Sequence, residues 1–353
     1  MDPAAHDTIV IWDEQFTEYD FGPMHPLRPI RLELTMALAG AMGILTGPGV
    51  TVASPITAAD DVLALVHAPD YIAAVREAPR GYLRHLQAFG LGTPDNPIFD
   101  GMHEASSLVA GASVQAAQAV WEGRAAHAVN ISGGLHHAMP RAASGFCVYD
   151  DPALAIAWLL EAGAERVAYL DVDVHHGDGV QAAFYSDPRV LTISLHESGE
   201  TLFPGTGWRD ETGVGDGVGF SANIPLRAGT GDAEWHAAFD AEVPALLAAF
   251  KPQILISQMG CDTHALDPLA NLTLSLTGQR QTYAKVHALA HAHADGKWVV
   301  TGGGGYDPAR VVPRSWAALI AEVTGATLPD HLPEDWIAMA KERTGLVVPG
   351  TFA

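Results

Sequence analysis

The sequence predicts an α/β protein built as a central parallel β-sheet flanked by helices, with its ligand site at the carboxyl ends of the strands. Three observations predict it. Short apolar, β-rich runs alternate with longer stretches of helical period. No internal repeat, low-complexity tract or clear linker divides the 353 residues, so residues 1–353 are expected to form a single domain. Polar motifs stand directly after four of the apolar runs, where parallel α/β sheets place their ligands.

Taken in order, strands are predicted at Thr8–Trp12, Ala126–Ile131, Arg166–Leu170, Val190–Leu195, Phe220–Pro225, Gln253–Gln258 and Trp298–Thr301. Helices are predicted between them, at Arg31–Leu45, His103–Glu122, Pro152–Ala162, Asp232–Phe250, Thr277–Ala294 and Pro308–Thr324. Thr57-Ala-Ala-Asp60 reads as a capping-box-like start for one more helix, with Asp60 in place of the usual Glu or Gln. Two long loops, Gly81 to Gly101 and His196 to Gly219, are expected to shape a rim around a pocket.

Composition narrows the function. Acidic side chains number 41 against 19 basic ones, a formal charge of -22 that opposes binding to a phosphate backbone. Direct nucleic-acid binding is therefore not expected. The N-terminal stretch lacks the basic and apolar regions of a signal peptide, and no apolar run reaches membrane-span length, so a cytoplasmic location is expected. Cys147 and Cys261 are the only cysteines, too few for a disulfide framework or a zinc finger, and both read as packed thiols.

The richest motif is Asp171-Val-Asp173-Val-His175-His176-Gly177-Asp178, directly after a predicted core strand. Alternation along an extended chain puts Asp171, Asp173 and His175 on one side. Burying three such groups requires a cation or hydrogen-bond partners. Asp173, His175 and Asp262 can supply three ligands and leave a position open, as catalytic metal sites do. His136 and His137 follow another strand and suit proton transfer, with Asp171 and Asp178 as available orienting carboxylates. Tyr306 follows four glycines, and its phenol is a neutral donor for an oxygen that becomes negative in a tetrahedral intermediate. The glycine run lacks the Gly-Lys-Ser/Thr ending of a phosphate loop. His287, His291 and His293 lie on an alanine-rich helix without the Glu of a His-Glu-x-x-His protease, and read as a solvated helix face.

With these residues in place the chain resembles the zinc-dependent histone deacetylases, specifically the class I-like bacterial branch that includes acetoin-utilisation deacetylases. The resemblance runs from about His25 to Trp316, through His25-Pro-Leu-Arg-Pro-Ile-Arg31, His136-His137, Gly145-Phe-Cys, Asp171 to Gly179, Phe203-Pro-Gly-Thr-Gly, Cys261-Asp262 and Gly302 to Tyr306. It implies the arginase/deacetylase fold and removal of acetyl groups from lysine side chains of proteins or peptides. Asp173, His175 and Asp262 would bind Zn2+, although two carboxylates and one imidazole also accept Fe2+. His137 paired with Asp178 would be the main base and acid, His136 paired with Asp171 would tune the field, and Tyr306 would polarise the carbonyl.

The resemblance also implies substrate contacts. Phe146 and Phe203 would flank the acetyl-lysine stem, with Gly145 and Leu269 near it and Asp95 on the rim. Arg31 would line an acetate-release passage; otherwise it reads as a surface helix arginine. A structural K+ would sit with Asp171, Asp173, His175, Ser194 and Leu195, and a second with Phe184, Asp187, Val190 and Phe220. The competing readings are a deacylase of acetylpolyamines or other small N-acyl amines, a two-manganese ureohydrolase, and a non-catalytic protein that binds acetyl-lysine.

Overall fold

A computed structural model describes residues 7–81 and 86–352. The stretch 1–6 read for a signal peptide, four residues of the first predicted loop and Ala353 lie outside them. Among the described residues one sheet of eight strands forms: β1 (Thr8–Ile11), β2 (Val50–Ala53), β3 (His127–Asn130), β4 (Val167–Asp171), β5 (Val190–Glu197), β6 (Ser221–Leu226), β7 (Ile254–Gln258) and β8 (Trp298–Thr301). All neighbours pair parallel, in the order β2-β1-β3-β8-β7-β4-β5-β6. Central strands are buried on both faces, as parallel sheets covered by helices require.

The helices are α1 (Ile30–Ala41), α2 (Asp60–Leu63), α3 (Pro69–Glu77), α4 (Met102–Trp121), α5 (Asp151–Glu161), α6 (Asp178–Phe184), α7 (Asp232–Phe250), α8 (Leu276–His293), α9 (Val312–Thr324) and α10 (Glu334–Thr344). Helices α4 and α5 pack on β1, β3, β4, β7 and β8, while α7, α8 and α9 meet β5, β7 and β3. Buried indoles anchor the layers without stranding their N–H groups: Trp316 donates to the Met259 carbonyl at 2.9 Å and Trp298 to Ser257 Oγ at 2.8 Å.

The α/β architecture matches the expectation, and seven strands fall where the sequence places them to within a few residues. Four elements were not expected. β2 is a half-exposed edge strand, α3 starts with Pro69, α6 begins inside the metal motif at Asp178, and α10 follows the family-like region. The capping box at Thr57 does not form: Ala59 is the N-cap of α2, and its carbonyl takes the Leu63 amide at 3.0 Å. α9 starts four residues later than Pro308 because Asp307 Oδ1 takes the amides of Ala309 (3.3 Å) and Arg310 (2.7 Å), holding a turn.

Candidate active site

The four strands that carry polar motifs, β3, β8, β7 and β4, are consecutive in the sheet. Their carboxyl ends therefore deliver His136-His137, the Gly302–Tyr306 segment, Asp262 and Asp173-Val-His175 to one place.

Asp173, His175 and Asp262 are buried, and their ligand atoms lie within 4.8 Å of one another. His175 Nδ1 is 3.0 Å from Asp173 Oδ1 and 3.1 Å from Asp262 Oδ2. Backbone and side-chain donors fix the other carboxylate oxygens: Gln258 Nε2 (2.6 Å) and the Gly304 amide (2.7 Å) donate to Asp173 Oδ2, and the Val174 amide donates to Asp262 Oδ1 (3.0 Å). Burial, reinforced by the Asp173 charge, pushes Asp262 up to about 6. Burial opposes charge on His175 too, yet the two carboxylates raise it to about 10. The cluster thus calls for a positive charge between its carboxylates. Two hard oxygens and one imidazole fit a divalent ion such as zinc or ferrous iron.

The paired histidines are held differently. His136 Nδ1 lies 2.7 Å from Asp171 Oδ2, which also accepts the Tyr169 hydroxyl at 2.8 Å. His137 Nδ1 lies 2.6 Å from Asp178 Oδ1, and the two Nε2 atoms are 3.1 Å apart. Burial disfavours charge on both, but Asp171 and Asp173 overcome it and lift His136 to about 9. For His137 burial wins, aided by the neighbouring His136, and the imidazole is lowered from its usual value. Their surroundings thus push the two rings in opposite directions.

Gly145, Phe146, Phe203, Leu202, Leu269, Asp95, Tyr306, His137 and His175 line a cavity of about 220 Å³. Gly145 adopts φ +50°, and a Cβ there would sit 2.5 Å from the His137 ring. Phe146 meets Tyr306 edge-on at 5.7 Å, and Phe203, 43% exposed, meets His137 edge-on at 5.0 Å. Asp95 is exposed at the mouth, its carbonyl 3.2 Å from His25 Nε2. The Tyr306 amide donates to Asp267 Oδ2 at 2.8 Å, and burial keeps its phenol protonated by raising its pKa.

Arg31 is not a surface residue. It is 4% exposed, lies over the Trp316 ring, and donates to the carbonyls of Gly303 (2.8 Å) and Gly305 (3.0 Å), bracing the segment that ends in Tyr306. Asp171 and Ser194 are register partners on β4 and β5, with Leu195 next in β5. Asp187 of the second expected cation site is clamped by Arg189 at 2.6 Å, and the Phe184, Asp187 and Phe220 carbonyls each accept a backbone amide.

Sequence reasoning missed Gln258, Tyr169, Leu202 and Asp267. Gln258 and Tyr169 carried a signal, since each is a polar-tipped residue in an apolar strand, and Tyr169 is two positions before Asp171, on the same face. The reading of this face of α8 as solvated holds for exposed His291 and is corrected for His287. His287 is only 18% exposed at its side chain, pairs with Glu322 at 2.8 Å, and packs against buried His127 of β3.

This fold and this constellation place the chain in the histone deacetylase family, whose domain matches residues 25–323. It is similar to the acetoin utilization protein AcuC of Bacillus subtilis, 41% identical over 349 residues covering 98% of this chain and 90% of that protein. AcuC of Staphylococcus xylosus is 37% identical and covers 95% of this chain and 87% of its own. A crystal structure of an HDAC homologue from Aquifex aeolicus superposes with a TM-score of 0.86 at 30% identity, over 95% of this chain and 88% of that one. A second, of an HDAC homologue complexed with SAHA, also gives 0.86, at 31% identity and the same coverage. The chain is a hydrolase of the deacetylase type.

Proposed function

We propose that the protein hydrolyses N-acetyl-lysine side chains of proteins or peptides, releasing acetate and free lysine. One observation carries the reading: a narrow cavity walled by Phe146 and Phe203 ends on Tyr306, His137 and His175 of the ligand triad. Two aromatic faces grip a tetramethylene stem without hydrogen bonds, and the cavity supplies polar groups only at its floor and at exposed Asp95 on its rim.

Asp173, His175 and Asp262 would hold zinc or ferrous iron, which supplies Lewis acidity toward the carbonyl and toward water. The chain's own groups do the rest. His137 Nε2, its ring fixed through Nδ1 by Asp178, takes the proton of the attacking water. The Tyr306 hydroxyl donates to the oxygen as it becomes negative, with cationic His136 lending its field. His137 then returns its proton to the departing lysine amine. Arg31 borders a small interior space with Leu135 and Ser132, which fits a route for acetate. A monovalent cation among Asp171, Asp173, His175, Ser194 and Leu195 would stiffen the β4 and β5 ends.

The relatives' names suggest a link to acetoin use. No helix among the described residues is long and apolar enough to cross a membrane. We infer a cytoplasmic enzyme, and the formal charge of -22 opposes direct binding to nucleic acid. The deciding experiment compares acetate release from an acetylated peptide and from acetylspermidine by the metal-loaded protein. Preference for the peptide is expected, because half-buried Leu269 offers no carboxylate to a second ammonium. Turnover of acetylspermidine alone would assign the small-amine reading instead, and tight peptide binding without acetate would assign a binding protein.

A further inference from the structure

At the opposite end of the sheet from the catalytic cavity, three histidines from two elements face one another. His127 is the first residue of β3, whose carboxyl end leads to His136 and His137, so the two clusters are separated by the length of the strand. His287 and His291 lie one turn apart on α8. The three rings form a nearly even triangle with centroids 4.8, 4.9 and 5.3 Å apart, and one ligand atom from each falls within 4.8 Å of the others.

Neighbours on α9 set the ring tautomers. His127 Nδ1 is 3.0 Å from the Val323 carbonyl, and His287 Nδ1 is 2.8 Å from Glu322 Oε1. A carbonyl and a carboxylate only accept, so each Nδ1 carries a proton, and in the neutral ring Nε2 is the nitrogen that can coordinate a metal. His287 Nε2 lies 3.1 Å from His291 Nε2. On the far side of His291, Gly296 lacks the Cβ that would stand 3.0 Å from its Nδ1 and Cε1, leaving room for the ring to hold this orientation.

We propose that His127, His287 and His291 form a second metal site, structural rather than catalytic, for a borderline divalent cation of the zinc, copper or cobalt class. Three imidazoles favour such ions over magnesium or calcium. Nitrogens about 2.0–2.1 Å from a shared tetrahedral centre stand roughly 3.3 Å apart, close to the His287–His291 separation of 3.1 Å. Small rotations of exposed His291 and partly exposed His287 complete the set, and the exposed side leaves water as fourth ligand. Glu322 supplies the carboxylate that orients a ligating histidine and raises its basicity. The bound ion would fasten α8 to β3, with α9 held through Glu322 and Val323.

The test strips the full chain with chelator, dialyses it against Zn2+ and counts ions per chain by elemental analysis. Wild type is expected to hold about two, and His291→Ala and His287→Ala about one each, with deacetylase turnover within about twofold of wild type at saturating Zn2+. In the Asp173→Asn/Asp262→Asn variant, Co2+ is expected to give the visible absorption of a tetrahedral site, lost when His291→Ala is added. Zn2+ should also raise the unfolding midpoint of that double variant and not of the triple variant. One ion per wild-type chain, or equal ion counts in wild type and both histidine variants, would overturn the proposal. The double variant lacks catalytic ligands, so its ion count separates failure of this site from failure of the catalytic one.

Discussion

Gln258 donates through Nε2 to Asp173 Oδ2 at 2.6 Å, and its own Oε1 takes the Gly260 amide at 2.8 Å. The last residue of β7 thereby fixes a ligand carried beyond β4. Replacing it should loosen the site without touching the ligands themselves. Gln258→Leu is expected to weaken divalent-metal affinity about 10–100-fold, the scale for losing an outer hydrogen bond to a ligand. Competition with a chelator of known affinity measures it, and unchanged affinity would show that the other partners of Asp173 position it without Gln258.

Tyr306→Phe removes the phenolic donor and leaves the aromatic packing on Phe146. Turnover should fall on the order of a hundredfold or more, with metal content and unfolding midpoint unchanged. Near-normal kcat would remove Tyr306 from the chemistry.

Gly145 leaves space that His137 and Phe203 fill. Gly145→Ala would place a methyl 2.5 Å from the His137 ring and 2.9 Å from Phe203, at a φ of +50° that side chains disfavour. Loss of most activity, with metal affinity retained, is the expected outcome. Steady-state kinetics beside a metal titration would reveal it, and full activity would mean that the channel wall yields.

Chelation should abolish acetate release, and readdition of Zn2+ or Fe2+ should restore it, because the triad requires a cation between its carboxylates. Activity that survives removal of all bound metal would refute the mechanism.

Buried His67 gives a pH signature of stability. Its Nδ1 faces the Met139 carbonyl at 3.2 Å and its Nε2 accepts the Asp150 amide at 2.9 Å, so the neutral ring is satisfied and burial lowers it to about 4. The folded value lies below the unfolded one of about 6.5. Its contribution is therefore complete above pH ~6.5 and lost as pH falls toward ~4. Roughly 2 kcal/mol should disappear between pH 7 and pH 5. Urea unfolding at both pH values should show a shallower loss in His67→Gln; an identical loss would assign the slope to other groups.

Much of this was legible in the chain. The alternation of apolar runs and helical stretches gave the layers, because buried strands such as Val167–Asp171 must read as continuous apolar runs. Asp173, His175, Asp262, His136, His137 and Tyr306 stood out because ionisable or polar groups abutted core strands. What was hidden came from partners distant in sequence. Gln258, Asp267 and Arg31 act on Asp173, Tyr306 and the Gly303 and Gly305 carbonyls across separations that no local pattern encodes. The same holds for His287 and His291, whose spacing was visible while His127 and Glu322 were not. Edge strand β2 escaped because only one neighbour and half burial define it.

The place of β8 in the strand order bears on how the chain is made. Among the described residues it is the last strand in chain order, yet it is wedged between β3 and β7 and unites two half-sheets, β2-β1-β3 and β7-β4-β5-β6. Until Trp298–Thr301 leaves the ribosome, both halves carry an open inner edge able to pair with foreign strands. Chains cut short before this keystone should be prey for chaperones and proteases, and catalysis would begin only when the gap is closed.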